Sequence, residues 1–267
     1  MLANYHVHTN RCRHAIGTDE EYVQKAIAEG LKTLGFSDHA PYLYPDGYVS
    51  YYKMTPEESG EYFSSIYELK EKYRDKIDIH IGYEAEFYPE LWESTFKFWE
   101  TTNRPEYLIL GQHFVGKEYD ERERTHSATG TEENRALSKY VDTLISAINT
   151  DRFTYVAHPD VIRFFGDRDF YEKEMRRLLS AIVKKDIPIE INLLGLSEGR
   201  HYPTPLFWET ASEYSPRTVL GCDAHEPWRV ADKSEIYMAQ KFAEKYRLNL
   251  IDELTLIDPF SKRQVNE

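Results

Sequence analysis

Short β-prone runs alternate with helix-patterned segments along the whole chain, and this alternation most limits the folds open to it. Seven runs are legible: 2–8, 34–39, 77–86, 107–113, 153–159, 187–192 and 218–225. The tail offers a further short candidate strand at 248–251. Between them lie helical patterns. Thr18 reads as an N-cap, Asp19, Glu20 and Glu21 fill the first turn, Tyr22, Val23, Ala26 and Ile27 recur at helical spacing, and Gly30 ends the helix. Similar helices are expected over 55–73, after Pro89, and over 132–149, 170–185, 207–214 and 230–246. The segments 42–52, 117–131 and 193–205 read as loops. A strand followed each time by a helix or loop implies a parallel α/β sheet. No repeat, low-complexity tract or Gly/Ser linker divides the chain, so one domain over 1–267 is expected.

The polar residues decide between an open sheet and a barrel. Strand one ends in His6 and His8, with His14 in the following loop; strand two ends in His39, strand three in Glu84, strand four in His113, strand five in His158, and strand seven in Asp223 and His225. Seven of the ten histidines are in this set, far more than random placement would put there. A barrel gathers the C-terminal ends of its strands at one mouth, where such side chains can meet. His6 and His8, two apart on a strand, share a face, as do Asp223 and His225. Nine His and carboxylate groups exceed the three to five that one ion takes. They suit a cluster of two or three ions, and imidazole-rich sites favour zinc, iron or manganese over magnesium or calcium.

Composition narrows the chemistry. A formal net charge of −13 opposes broad binding to nucleic acid, and an anionic substrate then needs a local cationic site. No apolar run reaches the roughly 18 residues of a membrane span, and the N-terminus lacks the pattern of a signal peptide. Cys12 and Cys222 cannot build a disulfide framework, which fits a reducing cytoplasm. The 21 tyrosines are expected mainly in packing. Nothing in the sequence fixes an oligomeric state.

The motifs taken together resemble the PHP (polymerase and histidinol phosphatase) superfamily, and more closely its histidinol-phosphate phosphatase branch. The matching stretches are His6-Val7-His8-Thr9, Cys12-Arg13-His14-Ala15, Gly35 to Pro41, Gly82 to Phe87, His113-Phe114, Val156 to Asp160 and Gly221 to His225. Gln112 departs from the small residue that often precedes the fourth-strand histidine. The resemblance implies a distorted seven-stranded (β/α)7 TIM-like barrel holding three divalent ions. One ion would take His6, His8, Glu84 and Asp223; a second Glu84, His113 and His158; the third His14, His39 and His225. The implied reaction is hydrolysis of L-histidinol phosphate in histidine biosynthesis. There two ions sharing Glu84 lower the pKa of a bridging water toward neutrality, and Asp223 is a candidate to orient that water or pass a proton.

Beyond the ligands, Arg163 after strand five and Arg200 with His201 after strand six are candidates for the phosphate. In the family an arginine after the strand-five histidine contacts phosphate, which favours Arg163. Glu86, on the face of Glu84, is a candidate for the amine of the alcohol or for supporting a ligating histidine. His80 reads as a satisfied core histidine, His126 as a solvated loop residue, and Asn192 as lining the pocket or bonding locally. Cys222 should point away from the site, whereas Cys12 remains a candidate ligand. The competing functions are a PHP phosphoesterase for another small phosphate, such as a nucleotide or sugar phosphate, and a non-catalytic module stabilised by metal. An amidohydrolase-like C–N hydrolase is disfavoured, because no strand ends in the lysine usual in many of those barrels.

Overall fold

In the computed structural model, which describes residues 1–261, eight strands form one all-parallel sheet in sequential order. They are β1 (Ala3–Asn4), β2 (Thr33–Phe36), β3 (Asp78–Ala85), β4 (Tyr107–Leu110), β5 (Tyr155–Val156), β6 (Ile189–Asn192), β7 (Arg217–Gly221) and β8 (Asn249–Leu250). The expected domain end at 267 includes residues 262–267, outside the described residues. The helices are α1 (Asp19–Glu29), α2 (Ser59–Tyr73), α3 (Pro89–Thr101), α4 (Asn134–Ile148), α5 (Arg168–Lys185), α6 (Leu193–Ser197), α7 (Pro205–Tyr214) and α8 (Lys233–Tyr246). No helix among the described residues is long and apolar enough to cross a membrane.

The strand count differs from seven in an instructive way. Val7 and Ala224 form a parallel bridge, in which His8 N donates to Ala224 O at 3.0 Å and Ala224 N to His6 O at 3.2 Å. The first and seventh strands thus meet at the C-terminal end of the sheet. β8 pairs only with Arg217 and Thr218, at the opposite end of β7. Seven strands therefore shape the mouth, and the eighth is a short addition at the far end.

Local chemistry explains the element boundaries. Thr18 and Glu21 make a full capping box at α1, and Gly30 ends it at φ 86°. Asp167, Asn192, Thr204 and Asp232 cap α5, α6, α7 and α8 with side-chain oxygens. The loop expected over 193–205 thus contains a short helix, because Asn192 caps it. Tyr5, Tyr107 and Tyr155 pack with Ala3, Ile109, Ala157 and Val219 in one buried cluster. Tyr107 donates to the backbone oxygens of Tyr5 (3.0 Å) and Phe36 (3.1 Å). Gly35 and Gly82 make room for that ring: a Cβ on either would lie 2.3 or 2.5 Å from it. The larger core includes Leu34, Phe36, Ile79, Ile81, Trp99, Leu144, Leu178 and Trp208. Each such buried side chain contributes about 1.5–3 kcal/mol.

Candidate metal centre

Most of the expected ligands lie just past the paired strands rather than in them. β1 stops at Asn4, β2 at Phe36, β4 at Leu110, β5 at Val156 and β7 at Gly221, and only Glu84 lies inside its strand. The chain turns at these exits: His158 has φ 28° and Asp223 φ 50°, a region that costs a non-glycine residue about 1–3 kcal/mol. The surrounding fold holds both residues there, and both side chains reach the cluster at the mouth.

Glu84 is the centre of that cluster. Its Oε1 lies 2.8 Å from His158 Nε2 and 3.6 Å from the Nε2 atoms of His6 and His113. Its Oε2 lies 2.8 Å from His39 Nδ1 and 3.6 Å from His8 Nε2. Gly111 passes directly beneath, where a Cβ would sit 1.9 Å from Oε1. Asp223 Oδ1 is 3.1 Å from His8 Nε2, 3.5 Å from His6 Nε2 and 3.4 Å from His225 Nδ1. All nine expected ligands are therefore neighbours, since the Nε2 atoms of His14 and His225 are 2.9 Å apart.

Hydrogen bonds at the back of four of the rings fix what faces the centre. His6 Nδ1 donates to Glu190 Oε2 at 2.7 Å, and His8 Nδ1 to Asp38 Oδ1 at 3.3 Å. His14 Nδ1 donates to Cys12 O at 2.7 Å and His225 Nδ1 to Asp223 O at 2.9 Å. Each partner accepts, so each Nδ1 carries the proton and each Nε2 is left to bind something else. His6 Nε2, His8 Nε2 and His158 Nδ1 are buried without a hydrogen-bond partner among the described residues. Buried donors and acceptors are rarely left so.

The electrostatics point the same way. Burial pushes the Glu84 carboxyl up, but the rings of His113, His39 and His6 outweigh it and hold Glu84 well below the usual carboxylate range. Asp223 behaves alike beside His6, His8 and His225. Burial lowers His6, yet Glu190, Asp223 and Glu84 raise it to about 10. Burial and the neighbouring His8 lower His39, and take His225 down to about 3. The carboxylates thus draw positive charge inward while several imidazoles stay neutral, which is what a cation site needs. Groups with ligand atoms within 4.8 Å of one another include His6–His8–Asp223, His6–Glu84–His158 and His8–His39–His225. Cys12 joins two further groups, one with His14 and His225 and one with His8 and Asp38.

A cavity of about 550 Å³ opens on this cluster. His14, His39, His113, Asp223 and His225 line it together with two walls. One wall carries Tyr52, Lys53, Glu86, Phe114 and His126; the other carries Leu194, Glu198, Arg200, His201 and Tyr202. Arg200 bonds Glu198 (2.9 Å) and the Tyr202 hydroxyl (3.1 Å), and His201 Nε2 donates to Val161 O at 2.6 Å. Arg163 is not among the lining groups. It is exposed, makes no side-chain hydrogen bond or ion pair among the described residues, and lines an adjoining cavity that shares His201 with the first.

The readings of His126 and His80 need correction, whereas Cys222 and Asn192 fall within theirs. His126 is half-buried in the cavity wall rather than solvated, because the 117–131 loop folds back over the mouth and Ala128 N donates to its Nδ1 at 3.1 Å. His80 is half-exposed rather than core; its two nitrogens bond Glu106 (2.7 Å) and Asp78 (3.0 Å), at the start of β3. Cys222 points away from the site, its Sγ 3.3 Å from Val230 O. Asn192 lines no cavity but donates to Glu190 at 2.7 Å and to Asp223 at 3.1 Å. Sequence reasoning missed Glu190, Asp38, Lys53 and Glu118. Glu190 had a signal, since it alternates with Ile189 and Ile191 and shares a face with Asn192. Lys53 and Glu118, in loops, had none.

Comparison with known proteins agrees with this geometry. The family model described as "PHP domain" matches residues 4–193. A protein of Deinococcus radiodurans named "Probable histidinol-phosphatase" is 28% identical over 235 residues, covering 86% of this chain and 88% of that one. The protein of Bacillus subtilis named "Histidinol-phosphatase" is 26% identical over 267 residues, covering 87% of this chain and 97% of that one. Among solved structures, the histidinol phosphate phosphatase of Lactococcus lactis, crystallised with zinc, L-histidinol and phosphate, superimposes with a TM-score of 0.71 at 20% identity. The match covers 96% of this chain and 97% of that one. That likeness establishes the TIM-like α/β fold.

Proposed function

The chain belongs to the PHP domain family, and from that premise we propose that it is a metal-dependent phosphomonoesterase hydrolysing L-histidinol phosphate to L-histidinol and phosphate. The observation that carries the reading is the convergence of nine ligand-type side chains, several with orphaned buried nitrogens, in one cluster on which a cavity of about 550 Å³ opens. Two relatives named for that activity, each matched over most of its length, support the choice of substrate. The reaction belongs to histidine biosynthesis. A cytoplasmic location fits the two free, buried cysteines.

We assign three divalent ions, of zinc, manganese or iron, to the nine residues: His6, His8, Glu84 and Asp223; Glu84, His113 and His158; and His14, His39 and His225. Once bound, such ions acidify water and offset the charge of a phosphoryl group. The chain's own residues do the rest. Glu190 and Asp38 hold the rings of His6 and His8 with Nε2 facing inward. Asp223, fixed by Asn192, orients the attacking water or holds the proton it sheds. Water oxygen bonds to phosphorus, the ester P–O bond breaks, and the departing alkoxide gains a proton. Arg200 on the cavity wall, with Arg163 reaching past His201, donates to the phosphate oxygens, and His201, whose one ring proton goes to Val161 O, shapes the wall between them. Glu86 faces the alcohol portion.

The test is turnover of L-histidinol phosphate by the purified protein before and after chelation, with metal content measured. Turnover lost on chelation and regained with zinc, manganese or iron is expected. Comparable kcat/KM on nucleotide or sugar phosphates would remove the assignment to histidinol phosphate.

A further inference from the structure

Lys53 is buried in the cavity wall, and its Nζ is held between two buried carboxyl groups. Glu86 Oε1 lies 2.9 Å away, and Glu118 Oε2 makes a short contact. Glu118 is fully buried and gathers further donors: the hydroxyls of Tyr44 (2.7 Å), Tyr48 and Tyr88 (both 3.4 Å), and that of Ser50 in a short bond. Tyr88 also donates to Glu86 Oε2 at 2.7 Å. The arrangement ties the loop after β2 to the loop after β4, and both loops form one wall of the cavity.

The charges in this wall do not cancel. Two carboxyl groups face one ammonium; the other donors are neutral, hydroxyls on both carboxyls and Phe114 N (3.3 Å) and Gln112 Nε2 (3.4 Å) on Glu86, while the His113 ring, 3.5 Å from Glu86 Oε1, is one we assign to a metal ion. Arg124 reaches only the Glu118 backbone oxygen, at 2.6 Å and from an exposed position, where solvent screens it. The opposite wall is balanced: its lining carboxylates, Glu198 and Glu226, bond Arg200 and Arg229.

We infer that the Glu86–Lys53–Glu118 triad is the specificity-determining element of the cavity, its surplus negative charge selecting phosphate monoesters whose alcohol portion is cationic. The inference deepens the phosphomonoesterase reading and rests on it. A charge in a buried wall acts through a low dielectric and discriminates where a solvated one would not. Lys53 keeps two carboxyl groups close together without full neutralisation, so the wall stays ordered with no ligand bound.

The experiment compares two esters of similar size, 2-aminoethyl phosphate and propyl phosphate, on the full-length metal-loaded protein. The wild type is expected to have the higher kcat/KM on the amino ester. Glu118→Gln keeps an acceptor for the tyrosines but removes the charge, and should cut that preference about tenfold. Lys53→Gln removes the ammonium instead, and should leave the preference intact or raise it. A wall that only shapes the cavity would lose preference in both variants. An unchanged preference in Glu118→Gln overturns the inference; if that variant does not fold, a preference lost in Lys53→Gln does so. L-Histidinol phosphate is assayed alongside: if it too is not turned over, the phosphatase reading falls, whereas if it alone is turned over that reading stands and the two esters are too small to report on the triad. Calorimetric binding of L-histidinol then decides the triad alone: affinity about tenfold weaker in Glu118→Gln upholds it, and equal affinity overturns it.

Discussion

His14 and His225 face each other through their Nε2 atoms at 2.9 Å, although each ring already gives its Nδ1 proton to a backbone carbonyl. Two lone pairs at that distance repel unless a proton or a metal ion lies between them. Burial and nearby imidazoles lower the pKa of both rings, so a shared proton is held weakly near neutral pH. The pair is thus built for a cation. His14→Ala is expected to lose about one equivalent of bound metal and retain the rest. Zinc should raise the Tm of the metal-free wild type in a concentration-dependent way, as any ligand specific for the folded state does. Elemental analysis and thermal scans with and without zinc check both points; a His14→Ala protein with full metal content would refute the first.

Glu84→Ala should be far more severe. One carboxylate faces five imidazoles, and its removal leaves them around an uncompensated void. The expected result is loss of more than one equivalent of metal and a fall in kcat of about a hundredfold or more. Steady-state kinetics alongside metal analysis separates this from the milder His14 variant.

The cluster at the mouth was legible in the sequence because barrel topology converts strand-end position into spatial proximity. Any residue near the end of a strand arrives at the mouth, whether or not the strand pairs to its last residue. That is why His39 and His225 reach the cluster although their strands stop at Phe36 and Gly221. The walls were not legible, because loops carry no such rule. His126 reads as solvated until the 117–131 loop folds over the cavity. Lys53 gives no sign that Glu118, 65 residues later, will bury it. The eighth strand was visible only as a weak candidate, since two residues of pairing leave little pattern.

Glu190 supplies a quieter test. It bonds His6 from behind and touches no cavity, and Gly221 gives it room, a Cβ there falling 2.1 Å from its Oε2. Partners of this kind fix the ligand's tautomer and raise its basicity, and losing one costs about 10–100-fold in metal affinity or activity. Glu190→Gln should weaken the tightest metal step by that factor while the fold persists. Competition with a chelator of known affinity measures it, and unchanged affinity would mean that Glu190 serves packing alone.

The arginines are separable by kinetics. Arg200 lines the cavity, whereas Arg163 stands across His201 from it. A charge-assisted bond to phosphate is worth about 1.5–3 kcal/mol. Alanine at either position is expected to raise KM about tenfold or more for the phosphate ester, with bound metal unchanged. If Arg163→Ala leaves KM within twofold of the wild type, Arg163 does not reach the phosphate and Arg200 carries that contact.

The last prediction concerns stability against pH. Asp160 is buried beside the mouth, its Oδ2 accepting from Thr204 N at 2.5 Å, and so ties the turn after His158 to the start of α7. Burial raises its carboxyl from 3.8 to about 7, against the opposing pull of the Thr204 amide. The folded protein therefore holds this proton to higher pH than the unfolded chain does. The favourable balance is complete below about pH 4 and is lost as pH rises through about 7, at up to about 1.4 kcal/mol per unit. Asp160→Asn keeps an acceptor for Thr204 N and carries no charge. It should remove this slope, so that the variant gains on the wild type steadily between pH 5 and 7 in urea unfolding and levels off above. A difference between the two proteins that stays constant across that range would show that Asp160 is ionised throughout, with its charge compensated inside the fold.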